Sequence, residues 1–258
     1  MDQTQRLAKI LELLESRKQL TQEELALTFS ISKDTARRDI LSLTEQGLVD
    51  RIRGGISLPV MKAQITSYTE RLVNHAADKQ AIAAKAVACI PSGATIMLDV
   101  STTVHFIAKQ LIQTGLLVVT HSIDNAIAVS SGRQDNRVYL LGGYFNPDSH
   151  LLYGSSISEQ LQQFYFDYAF IGASGLTEDG VFYAELEDIH VKKSIVQHAK
   201  KVCLVVDASK TNQTSPFKIG FEGIDLLITN RCLPAAIQEK LDTCGVEVLL
   251  TSYEEEKR

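Results

Sequence analysis

From Asp78 onward the chain alternates short, wholly apolar runs with stretches of helical period, and this restricts the fold more than any other feature. The apolar runs fall at 95–100, 116–120, 138–141, 168–171, 202–206, 226–229 and 246–250. Helical stretches lie between several of them, at 79–89, 103–112, 123–129, 189–199 and 234–241. Strands apolar on both faces need cover on both faces, and parallel neighbours need a crossover, usually a helix. The pattern predicts an α/β unit over 78–251 with a mainly parallel sheet. Residues 252–258 read as a frayed tail, and no internal repeat or low-complexity stretch interrupts the pattern.

The first 58 residues follow a different rule. Leu7, Ile10, Leu11 and Leu14 recur at helical spacing. Thr21 with Glu24 three positions on is a capping-box pattern, followed by Leu25 and Phe29 one turn apart. Ser32 can cap a third helix whose inward face is Ala36, Ile40 and Leu43, with Gly47 as a C-terminal stop. "LVDRIRGGISL" then alternates and turns at Gly54-Gly55, a small β-hairpin. Helix, helix, turn, helix, hairpin is the order of a winged helix-turn-helix, here over 1–58. Residues 59–77 lack a clear period and read as a linker.

Composition decides what such a domain could hold. At 45% hydrophobic and 22% charged the chain is globular. No apolar run approaches the ~20 residues a membrane helix needs, and the four cysteines lie far apart with no CxxC pair. A cytoplasmic protein with neither metal nor cofactor nor membrane partner is expected. Residues 1–55 hold nine Lys/Arg and nine Asp/Glu, so the net −5 belongs entirely to the remainder. Affinity for nucleic acid must come from local clustering. Lys33, Arg37 and Arg38 fall on the side of the third helix away from its apolar face. Ser32 and Thr35 stand at its start, where a recognition helix meets bases and phosphates. Arg51 and Arg53 alternate along the hairpin and share one side. Asp34 and Asp39 oppose this reading, because either could pair with Arg38 or its neighbours.

The strand ends hold a second constellation. Ligands of open α/β sheets bind beyond the carboxyl ends of the strands. There the sequence sets Asp99, Ser101, Thr102 and Thr103, then His121 and Ser122, then Gly143. Further along stand Gly172, Ser174 and Gly175, then Glu187, Asp188 and Lys192, and finally Asp207, Ser209 and Lys210. Singly, a strand-end hydroxyl is a helix cap and a glycine a turn. Together they are the chemistry of a phosphorylated polyhydroxy compound, with Lys192, Lys210 and amides for phosphate and carboxylates for hydroxyls.

Arg6, Ile10 and Leu14, then Ser32, Thr35-Ala36-Arg37-Arg38-Asp39-Ile40 and "RGG" at 53–55, resemble the N-terminal domain of the DeoR family of bacterial transcription regulators. "DVSTT", "THS", "LGG", "GASG", "LEDIHVK" and "VVDASK" resemble that family's sensor domain, so the likeness covers nearly the whole chain. It implies an α/β sensor similar in fold to ribose-5-phosphate isomerase and CoA-transferases. The implied function is a repressor of a carbohydrate-utilisation operon that binds double-stranded operator DNA and leaves it when a phosphorylated sugar binds. A dimer or tetramer built through the sensor domain is expected, since operators are normally read in half-sites. Two alternatives stand beside it, a sugar-phosphate isomerase and a DNA-binding regulator acting as activator; a DNA-architectural protein would leave the strand-end hydroxyls unexplained.

Overall fold

Where each element begins is set by a few side chains. In the N-terminal unit Thr21 accepts from the Glu24 amide while the Glu24 carboxylate accepts from the Thr21 amide, a complete capping box. The computed structural model describes residues 3–17, 19–45, 48–52, 54–57, 61–62, 68–132, 135–147 and 149–251. It divides into two compact units, 1–61 and 62–258. The first contains α1 (Gln3–Arg17), β1 (Gln19–Thr21), α2 (Gln22–Thr28), α3 (Lys33–Glu45), β2 (Asp50–Ile52) and β3 (Gly55–Ser57); the division between the units falls within the two-residue β4 (Met61–Lys62). Ile10, Leu14, Leu20, Leu25, Ala36, Ile40, Leu43, Val49 and Ile56 form its core. The hairpin is part of a three-stranded sheet in the order β1-β3-β2. Sequence reading omits β1, because three residues are too few to show a period. Gly55 makes that pairing possible: a Cβ there would stand 2.1 Å from the Leu20 carbonyl oxygen. Gly54, at φ +87°, makes the turn.

The second unit runs α4 (Tyr68–Val73), α5 (Ala76–Ala88), β5 (Thr95–Leu98), α6 (Thr102–Gln110), β6 (Leu117–Thr120), α7 (Ile123–Ser130) and β7 (Arg137–Leu140). It continues with β8 (Tyr144–Asn146), β9 (Leu151–Tyr153), α8 (Ser155–Leu161), β10 (Tyr168–Ile171), β11 (Gly175–Thr177), β12 (Gly180–Tyr183) and α9 (Leu186–Gln197). Last come β13 (Val202–Val205), a 3-10 turn (Ala208–Lys210), β14 (Gln213–Thr214), β15 (Phe217–Ile219), β16 (Leu226–Thr229), α10 (Ala235–Cys244) and β17 (Glu247–Leu250). The segment read as a linker thus holds α4, whose Tyr68 is buried, and the first residues of α5.

Seven strands form one sheet in the order β17-β16-β13-β10-β5-β6-β7, every pair parallel. Successive residues face opposite sides, so each strand feeds two cores. Ile96, Leu98, Val118, Phe170 and Cys203 pack with α5, α6 and α7. Met97, Val119, Ala169, Leu204 and Leu227 pack with α8, α9 and α10. Each large apolar side chain so buried contributes about 1.5–3 kcal/mol. The chain starts in the sheet at β5, moves outward through β6 and β7, then returns to β10 on the other side of β5. That reversal makes β5/β10 the topological switch point, where the connections diverge and leave a crevice. Two smaller antiparallel pieces, β11-β12-β15 and β8-β9, flank the sheet. Among the described residues no helix is long and apolar enough to cross a membrane.

Candidate functional site

On the N-terminal unit, Arg37, Arg38 and Arg51 are exposed, as are Ser32 and Lys33, and Thr35 is half-buried. Ser32 caps α3, its hydroxyl accepting from the Thr35 amide at 3.1 Å and lying 2.9 Å from the Thr35 hydroxyl. Lys33 bonds Glu23 at 2.6 Å, so it is the least available of these cations. Asp39 does not oppose the arginines as the sequence suggests. It is fully buried and accepts Arg6 Nε at 2.6 Å, with a second guanidinium bond at 3.1 Å and Gln3 at 3.2 Å. It joins α1 to α3 and leaves the outer face to the basic residues and Asp34. Arg53 lies outside the described residues.

In the second unit a cleft of about 620 Å³ opens at the carboxyl ends of the strands. Ten of the sequence-derived residues line it: Asp99, Ser101, Thr102, Thr103, Gly172, Ser174, Asp188, Lys192, Asp207 and Lys210. Asp99, directly after β5, is fully buried. Its Oδ1 accepts Lys192 Nζ at 2.6 Å and its Oδ2 accepts the Gly172 amide at 3.1 Å, across the switch point. Gly172 has to be glycine, because a Cβ would come within 2.4 Å of Ser101 Cβ and Oγ. Asp188, one turn before Lys192 on α9, lies 3.4 Å from the same ammonium. Burial alone would depress Lys192, but Asp188 and Asp99 outweigh it and hold the ammonium above the ordinary lysine value. Tyr183 lies against this group, its ring centroid 5.3 Å from Lys192 Nζ. Its buried hydroxyl has no hydrogen-bond partner among the described residues.

The cleft also holds a basic cluster. Arg71, Lys79 and Lys210 all line the cleft. Burial lowers the pKa of each, and their mutual repulsion adds to the effect on Lys79 and Lys210. Asp207 is the carboxylate that offsets Lys79 and Lys210, and it is held by the Ser209 amide at 3.0 Å and by the Ser209 hydroxyl. Lys79 is 3% exposed and donates to the Arg71 and Asn74 carbonyls at 2.5 and 2.6 Å. Sequence reading missed Arg71, Lys79 and Tyr183. Lys79 had a signal: it shares the stripe of Ile82, Ala83 and Ala86, and a lysine on an apolar helix face is rarely idle. Arg71 sits in the six-residue α4, too short to show a period.

Six sequence-derived residues do not line this cleft. His121 is buried behind Asp99, with Nε2 3.6 Å from Oδ1 and no hydrogen-bond partner on either nitrogen among the described residues. Burial first, and Lys192 second, lower its pKa to about 3, so the ring is neutral. Ser122 caps α7 through the Asn125 amide at 3.2 Å. Gly143 and Gly175 serve close backbone packing, against Tyr153 O and Gln213 O. Glu187 is exposed on α9 and Ser209 supports Asp207. Ser101 lines the cleft, yet its hydroxyl also caps α6 through the Val104 amide at 3.1 Å. A second hollow, of about 650 Å³, lies at the amino ends of the strands. There Asp167 and Asp225 are already taken by backbone amides at 2.9 and 2.7 Å, so the carboxyl-end cleft carries the available chemistry. Among the described residues no group of three or more His, Cys, Asp or Glu is placed to hold a metal.

Fold and cleft together define a class: a helix-turn-helix module joined to an α/β module of the ligand-sensing kind. Residues 6–60 match the DeoR-like helix-turn-helix domain and residues 74–231 the DeoR C-terminal sensor domain. The chain belongs to the DeoR family. It is 39% identical over 258 residues to the HTH-type transcriptional repressor GlcR of Bacillus subtilis, covering 100% of both chains. It is 30% identical over 253 residues to the glycerol-3-phosphate regulon repressor of Escherichia coli, covering 97% of this chain and 100% of that one. Among solved structures, ribose 5-phosphate isomerase A of Methanocaldococcus jannaschii overlaps 54% of this chain and 55% of its own at 16% identity and a TM-score of 0.38.

Proposed function

We propose that the chain is a transcriptional repressor of a carbohydrate-utilisation operon, released from its operator when a phosphorylated sugar or related phosphorylated metabolite fills the strand-end cleft. One observation carries this reading: a cluster of three cations and an ion-paired carboxylate group line one strand-end cleft. Arg71, Lys79 and Lys210 line it close enough for Arg71 to repel both lysines, and Asp207 is the carboxylate beside the two lysines, so these three cations leave positive charge in excess of it. A phosphate dianion matches that excess, and charge-assisted hydrogen bonds are the strong ones. In the same cleft Asp99, Asp188 and Lys192 form an ion-paired group with a spare carboxylate, which suits hydroxyls better than phosphate. Thr102 and Thr103, at the start of α6, add hydroxyls and amides to the cleft lining. On the N-terminal unit, Ser32, Thr35, Arg37, Arg38 and Arg51 are the DNA-facing residues of this reading.

The test is operator release. A fragment obtained by in vitro selection on the protein is titrated with a panel of sugar phosphates and glycerol 3-phosphate, alongside the unphosphorylated sugars. The reading expects one phosphorylated compound to release the DNA and its unphosphorylated form to do nothing. It expects Arg71→Met and Lys210→Met to keep DNA affinity while shifting the response to higher ligand concentration. Turnover of any of these sugar phosphates at an enzyme's rate, or release by none of them, would overturn it.

A further inference from the structure

His150 is held in a conformation that side chains rarely adopt. It ends the turn between β8 and β9 at φ +56°, in the left-handed region, where a residue with a Cβ persists only if its surroundings fix it. Three side chains fix this one. Its Nδ1 lies 2.8 Å from Asp124 Oδ2 on α7. Its ring stacks on Tyr68 of α4, with centroids 4.7 Å apart and planes 12° from parallel, and Phe145 of β8 meets it edge-on at 6.1 Å. Tyr68 is itself 2% exposed, and burial first, then Asp124, push its phenol well above the ordinary tyrosine value, so it stands there neutral. A residue that only closes a turn needs no such support. His150 lines the strand-end cleft, with its side chain still 38% exposed.

We propose that His150 is a specificity-determining residue of this cleft, its Nε2 accepting a hydrogen bond from a hydroxyl of the phosphorylated effector, with Asp124 and Tyr68 as its positioning residues. The proposal rests on the repressor reading above and adds a requirement that reading does not make. A carboxylate only accepts, so the Nδ1 that faces Asp124 carries the proton. In the neutral ring Nε2 is then an acceptor, and it has no hydrogen-bond partner among the described residues. A phosphate dianion has no proton to give, and Arg71, Lys79 and Lys210 already supply cationic donors for it in the same cleft. A sugar hydroxyl has the proton that Nε2 lacks. The stacking matters as much as the bond. An imidazole pinned against Tyr68 and Asp124 cannot turn to follow a ligand, so it selects by position. A phosphorylated compound without a hydroxyl at that place leaves Nε2 unpaired, and a site built to bond a hydroxyl rejects the analogue that lacks it.

Nitrogen NMR of the full chain, labelled in its six histidine rings, tests this at neutral pH. His150 is assigned by its loss in His150→Gln. The probes are the sugar phosphates of the release panel, glucose 6-phosphate and fructose 6-phosphate among them, with glycerol 3-phosphate and inorganic phosphate. Before any addition His150 should show the Nδ1–H tautomer, and Asp124→Ala should admit the Nε2–H form. The organic phosphate that releases the operator should shift Nε2 and leave the ring unprotonated, and inorganic phosphate should leave it unmoved. Half-release is then compared between variants, each against its own DNA binding without ligand. His150→Asn suits the left-handed backbone and still donates to Asp124, but it does not reach the place of Nε2. It should need that compound at a concentration on the order of 10-fold higher, whereas His150→Gln, whose amide oxygen reaches further, should stay within about 3-fold of wild type. Operator release with Nε2 unmoved, or a wild-type response in His150→Asn, would overturn the proposal and leave His150 a turn residue. Protonation of the ring on binding, or the same shift from inorganic phosphate, would overturn it in favour of a phosphate donor. Release by none of the organic phosphates is the failure of the repressor reading, and the proposal falls with it.

Discussion

Lys192 and His121 lie side by side around Asp99 and do opposite things with burial. Lys192 keeps its charge because two carboxylates compensate for lost water, and His121 gives up its charge chiefly to burial, with Lys192 nearby adding to the effect. Lys192→Met leaves Asp99 buried with the Gly172 amide as its hydrogen-bond donor among the described residues, and an orphaned buried charge costs about 3–5 kcal/mol. Urea unfolding should show that loss, with much of it recovered in Asp99→Asn/Lys192→Met. His121 makes a pH prediction. Its folded pKa, about 3, lies below the ordinary histidine value of 6.5, so between those values the unfolded chain binds the extra proton. The full contribution is present above pH 6.5 and is lost as pH falls through that window, with a limiting slope of about 1.4 kcal/mol per unit. His121→Asn should flatten the decline of the urea midpoint between pH 6.5 and 4.5; an identical slope would mean that the ring is not buried neutral.

At the scale of elements, α3 is held by a bond the sequence hides. Arg6→Met strips the guanidinium from buried Asp39, so α1 should detach from α3 and the recognition surface should loosen. Hydrogen exchange of the α3 amides should rise in this variant while the amides of β5, β10 and β13 stay protected. Even protection across α3 would show that the helix is held by its apolar face alone. Which elements sequence reading found follows from length. The parallel strands and their crossover helices announce themselves, because four or more apolar residues bounded by turn signals have one sensible use. The three-residue β1, the six-residue α4, α8 and the β8–β9 ribbon are too short for any period, and only tertiary contact forms them. The cleft divides the same way. Its hydroxyls and acids sit at strand ends, where topology advertises them, whereas Arg71 and Lys79 reach it from α4 and α5, before the first strand of the sheet.

Across the whole molecule, charge is segregated. The first 55 residues are neutral and the remainder carries the −5, so the acidic unit repels DNA and any grip falls to a few exposed cations. With Lys33 engaged by Glu23, these are chiefly Arg37, Arg38 and Arg51 among the described residues. Each phosphate contact steepens the salt dependence of log K by about 0.9. A side chain that touches phosphate once per copy is therefore counted once for every copy on the DNA. Arg51→Ala should flatten the slope by about 0.9 if one copy binds and by about 1.8 if two bind, with sequence preference unchanged. Arg38→Ala should instead relax the preference at one position of each half-site and cost about 1–3 kcal/mol there. Measured between 50 and 200 mM salt on a two-half-site fragment, the Arg51 slope counts the copies without reference to hydrodynamic size. A change of zero would remove the β2 strand from the DNA-binding surface.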